Sequence, residues 1–75
     1  MKTYIVNFQA TKNAEVFEDT SIHKNKKECL SYLNDIHKIY SKMDYILDRI
    51  IRKTNDNMFV EYYISYVWKE GMANV

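Results

Sequence analysis

Cys29 and His37 are the side chains of this sequence best suited to act as nucleophile and base, and they stand eight residues apart. On one helix that separation is about 12 Å of rise, too far to share a proton or a metal ion. His23 adds no ligand spacing of the Cys/His zinc kind. Cys29 therefore reads as a small buried hydrophobe and His37 as a residue bordering an apolar stripe. The carboxylates offer two pairs, Glu15 with Glu18 and Asp44 with Asp48, the second at i and i+4 of an expected helix. Acid–base catalysis also needs a pocket and a perturbed pKa, and so small a domain has little room for either. These acids read as solvating and pairing groups. Catalytic residues, metal and cofactor are all expected to be absent, and the chain is not expected to be an enzyme.

Lys24, Lys26 and Lys27 gather in "HKNKKE", residues 23–28, at the start of the expected helix, where positive charge is unfavourable. Amide donors and lysines converging there would make an anion or nucleic-acid site. A phosphate loop normally brings glycines, which this stretch lacks, so a solvated cluster balanced by Glu15, Glu18 and Asp19 is the better reading. A duplex-binding role would add Lys38, Lys42, Arg49 and Arg52 along the exposed helix side.

The richest stretch is "FVEYYISYVW", residues 59–68, free of Gly and Pro. As a strand it sends Val60, Tyr62, Ile64, Tyr66 and Trp68 to one side, and Phe59, Glu61, Tyr63, Ser65 and Val67 to the other. Ile5 and Phe17 are expected to join that second side. Ile5, Phe17, Phe59, Glu61, Tyr63 and Val67 then form an aromatic, charge-poor sheet face with nothing in the chain to cover it. Such patches mark association surfaces more than solvated faces do. Aromatics on an open sheet also stack nucleobases. "TYIVNF", residues 3–8, is similar to the first conserved strand of RNA-recognition modules, although their second signature and βαββαβ order are missing.

The elements that must hold these groups follow from periodicity. Residues 3–11, "TYIVNFQAT", alternate, with Tyr4, Val6, Phe8 and Ala10 on one face. A turn at "TKNA" relies on Asn13 for a left-handed residue. Residues 15–22, "EVFEDTSI", make a second strand, and its acids mark it as an edge. Asn25 with Glu28 predicts a helix start. Cys29, Leu33, Ile36, Tyr40, Met43, Leu47 and Ile50 then recur at spacings of four and three, which predicts one long helix through residue 52. Ser41 with Asp44 offers a kink or restart, and "TNDN", 54–57, leads into the last strand. Twenty-eight helical residues would span about 42 Å against about 33 Å for a ten-residue strand. A kink, or packing on a second copy, is expected to absorb the excess.

The predicted fold is therefore α+β: a β-hairpin, one long, kinked helix and a C-terminal strand, forming a three-stranded sheet with the helix on one face. The hairpin's first strand is expected in the middle, antiparallel to both neighbours. One domain spans residues 1–70, with 71–75 as a short tail.

Composition narrows the function classes. The 75 residues are 47% hydrophobic and 28% charged with net charge +1, which describes a globular chain without a broad basic field. The start alternates with polar residues too early for a signal peptide, and no apolar run approaches the ~18 residues of a membrane span. A lone cysteine fits a cytoplasmic protein. Abundant Lys, Asn, Ile and Tyr suggest an AT-rich genome, such as a Gram-positive bacterium or its phage. The expected function is a small protein-binding regulator of phage or plasmid type, an inhibitor or adaptor. Its partner would be another protein, with itself as a homodimer also expected. The alternative is a nucleic-acid-binding regulator using Lys24, Lys26 and Lys27.

Overall fold

Alternating residues make the centre of the sheet. The structure, a computed structural model, describes residues 2–55 and 57–69, with backbone alone for 52–55. Strand β1 (Thr3–Lys12) and strand β2 (Glu15–His23) form the expected hairpin. Two residues join them, and Asn13 takes φ 56°, a conformation that asparagine tolerates better than most residues. A helix, α1 (Lys26–Lys42), follows. Strand β3 (Tyr45–Asn55) and strand β4 (Phe59–Trp68) follow.

The capping prediction holds at the level of atoms. The Asn25 side chain accepts from the Glu28 amide at 2.9 Å, and its own Nδ2 donates to the Glu28 carboxylate at 3.1 Å. The helix then ends ten residues sooner than its spacing predicts. Met43 donates its backbone N–H to the Tyr40 carbonyl, and Asp44 turns left-handed at φ 65°. That turn does the work usually given to glycine at a helix C-terminus. Lys69, just past the end of the adjacent strand β4, fastens it through its amide to the Asp44 carbonyl (2.8 Å) and its ammonium near the carboxylate (3.8 Å). Seventeen helical residues span about 26 Å, so α1 fits within the strands and the length problem disappears.

Two corrections to the predicted sheet follow. It has four strands, in the order β2-β1-β4-β3. And β4 runs parallel to β1, since β3 reverses the chain once more before β4 begins. The placement of β1 beside both β2 and the last strand stands.

Helix α1 lies on the face of Tyr4, Val6, Phe8 and Ala10. The buried core there is Val6, Phe8, Ala10, Val60, Ile64 and Tyr66 from the two central strands, with Cys29 and Ile36 from the helix. Tyr40 caps it, with ring centroids 4.7 Å from Phe8, 5.4 Å from Tyr66 and 5.1 Å from Tyr45. Each such aromatic pair adds about 0.5–1.5 kcal/mol beyond simple burial. Among the described residues, none from an edge strand is a buried hydrophobic side chain. Among the described residues no helix is long and apolar enough to cross a membrane. The expected tail, 71–75, lies outside the described residues.

Candidate functional site

Register decides which side chains share the uncovered face. Directly opposed residues point to the same side of a sheet, so each row can be read across the strands. One row holds Val16, Thr11, Val67 and Ile46. The next holds Glu18, Gln9, Ser65 and Arg49, and the third holds Thr20, Asn7, Tyr63 and Ile51. Ile22, Ile5 and Glu61 make the fourth, with Phe59 beside Thr3 at the rim.

Five of the six expected partner-binding residues therefore come together: Ile5, Phe59, Glu61, Tyr63 and Val67, all half-buried. Phe17 does not. The two-residue turn sets Lys12 against Glu15, which places Phe17 opposite Ala10 and on the helix side, where it is 71% exposed. Its place on the open face goes to its neighbours Val16 and Ile22, 57% and 70% exposed. A strict count from the turn would have found them.

The middle of the face is polar and internally bonded. Thr20 Oγ1 donates to Asn7 Oδ1 at 3.0 Å, and Asn7 Nδ2 donates to Glu61 Oε2 at 3.3 Å. The Tyr63 hydroxyl donates to that same oxygen at 3.0 Å. Gln9 Nε2 donates to Glu18 at 3.0 Å. Two donors thus hold the Glu61 carboxylate in place, and hydrogen bonds to an ionised acceptor are stronger than neutral ones. A shallow groove of about 420 Å³ crosses these rows, between Glu18 at one end and Arg49 at the other. It presents oriented hydrogen-bonding groups between two apolar margins. That arrangement can recognise a surface.

The other candidates are dispersed. Lys24, Lys26 and Lys27 are exposed around the start of α1, away from the open face, and the Glu28 amide there is already taken by Asn25. Arg49 stands on strand β3, apart from the exposed helix residues Lys38 and Lys42, so the expected duplex-binding row does not form. Of Arg52 only the backbone, in β3, is described. Asp44 sits in the turn and Asp48 in β3, so their helical i,i+4 pairing is lost. Cys29 is buried, and burial pushes its thiol pKa up, away from nucleophilic thiolate. His37 Nδ1 lies 3.2 Å from the Tyr66 hydroxyl and supports the core. His23 Nε2 lies 2.7 Å from Ser21 Oγ. Among the described residues no three His, Cys, Asp or Glu side chains cluster as metal ligands.

Residues 45–52 read as helix rather than strand from the sequence, because strand alternation there mixes charges with aliphatics, and that reading loses β3 and what it exposes. Ile46, Leu47, Ile50 and Ile51 are 39%, 38%, 58% and 46% exposed along an edge strand. Beside it a second groove, about 430 Å³, runs between α1 and the sheet, lined by Leu30, Leu33, His37, Leu47, Ile50 and Tyr62. The available signal was β-branched enrichment, three isoleucines within residues 46–51. Comparison with protein-family models, with curated proteins and with solved structures gives no match.

Proposed function

We propose that this chain is a small non-enzymatic regulator that binds another protein through the open face of its sheet. It would act in the cytoplasm as an inhibitor or adaptor of the kind that phages and plasmids encode. One observation carries the reading. The face opposite the helix holds half-buried Ile5, Phe59, Tyr63 and Val67 around a Glu61 carboxylate already fixed by Asn7 and Tyr63. Groups held in place before binding lose less freedom when a partner arrives. Apolar partner side chains would settle on Ile5 and Ile22 at one margin and on Val67 and Ile46 at the other. The central row would take the partner's hydrogen bonds.

Nucleic acid is the weaker partner class. Lys24, Lys26 and Lys27 stand away from this face, and Glu18 and Glu61 lie on it beside Arg49. The test is affinity capture from host lysate with the wild-type chain, Tyr63→Asp and Ile22→Asp. The expected result is one protein retained by wild type at moderate salt and lost by both variants. Equal retention by all three would refute the reading. So would a bound species that is nucleic acid and leaves steeply as salt rises.

A further inference from the structure

We infer that β3 is a self-association edge, on which the β3 of a second copy of this chain pairs antiparallel about a two-fold axis between Asp48 and Arg49. The inference concerns the free edge of β3, which adjoins the open face at Ile46, Arg49 and Ile51, and its test is separate from the test of that face.

The argument begins with an irregularity. Leu47 pairs with Tyr66 and Arg49 with Ser65, so β3 carries one residue more than β4 at this point. In an unbroken strand residues 48 and 49 face opposite sides, and a two-fold axis between them would set unlike faces together. The extra residue changes that parity. Leu47 and Ile50, opposite Tyr66 and Ile64, both face the helix side. Ile46 and Ile51, opposite Val67 and Tyr63, both face the open side. The Asp48 and Arg49 side chains fall together, 3.8 Å apart.

An axis between 48 and 49 then matches residues 46–51 pair by pair. Ile46 meets the partner's Ile51, Leu47 meets the partner's Ile50, and Asp48 meets the partner's Arg49, with each pair repeated by symmetry. Aliphatic faces aliphatic on both sides of the sheet, and charges of opposite sign meet at the centre. A foreign strand would have to bring this pattern, whereas a second copy already has it. Both helices would lie on the same side of an eight-stranded sheet. The grooves lined by Leu30, Leu47 and Ile50 would face each other across the seam, which extends the buried surface beyond the strands.

The test uses charge. Asp48→Arg sets arginine against arginine, and Arg49→Asp sets aspartate against aspartate. Each variant alone should weaken dimerisation about tenfold, since two cross-strand pairs become repulsive. An equimolar mixture of the two should recover it, because each then meets its complement. Light scattering and sedimentation would read a mass of twice the 9.1 kDa chain. Ile50→Lys should leave a folded monomer by circular dichroism, and Tyr63→Asp should leave the dimer intact. A monomeric wild type, or a dimer indifferent to Ile50→Lys and to both charge reversals, would overturn the inference. A dimer broken by Tyr63→Asp alone would assign self-association to the open face and overturn it too.

Discussion

The two edges of this sheet both expose apolar side chains to solvent but differ in the charges that accompany them. Strand β2 carries Glu15, Glu18 and Asp19, all exposed. Pairing it with its own copy about that segment sets carboxylate near carboxylate. Edge strands are commonly protected from unwanted pairing in this way. Residues 46–51 of strand β3 carry four exposed aliphatics around one acid and one base, and the extra residue there aligns them for self-pairing. The lesson is that charge count does not make an edge safe. The order of charges relative to a two-fold axis decides whether they repel or pair.

The largest effect expected is at the centre, on which both edges depend. Tyr66 is fully buried, opposite Ala10 on β1 and Leu47 on β3. Tyr66→Ala should cost about 3–5 kcal/mol, read by denaturant unfolding. Since among the described residues β3 pairs with β4 alone, its amides should lose more protection than those of β2. Equal loss at both edges would break the comparison.

A smaller effect belongs to the turn that creates β3. Asp44 holds φ 65°, which a β-branched residue resists. Asp44→Val should therefore cost about 1–2 kcal/mol, whereas Asp44→Gly should be near neutral. If valine were harmless there, this turn would not be what separates helix from edge strand.

The smallest effect is a pH dependence arising from the core shared by the two hairpins. Burial pushes the pKa of the Tyr66 hydroxyl above the ordinary tyrosine range, and the Tyr40 phenol beside it pushes the same way. Tyr40 is raised by burial first, then by Tyr45, Tyr32 and Asp19. A tyrosine that holds its proton more tightly when folded contributes stability fully below pH about 10, and loses it as pH rises through the folded value. The thermal midpoint should thus fall above pH 10, and less steeply in Tyr66→Phe. An identical slope in that variant would remove Tyr66 as a source.

Much of this architecture was legible where one physical rule acted alone. Alternation in β1 and β4, the Asn25–Glu28 cap and the acidic edge all follow from side-chain type and local geometry. Two errors share a different origin. Leu47 and Ile50 lie three apart, as on a helix, because the extra residue in β3 brings them to one face. A bulged strand thus imitated helical spacing, and Met43 and Asp44 carried the pattern across a turn. Phe17 was assigned by its hydrophobicity, although the turn at Asn13 had already fixed its side. The Thr20–Asn7–Glu61–Tyr63 chain depends on β1 pairing in parallel with β4, and nothing local to either strand reveals that.

Amide hydrogen exchange, measured residue by residue across a series of protein concentrations, tests the contrast between the edges most directly. Protection in β3 around Leu47 and Ile50 should rise with concentration, while β2 around Glu18 stays unchanged. Protection that is independent of concentration in both strands, or that rises first in β2, would contradict it.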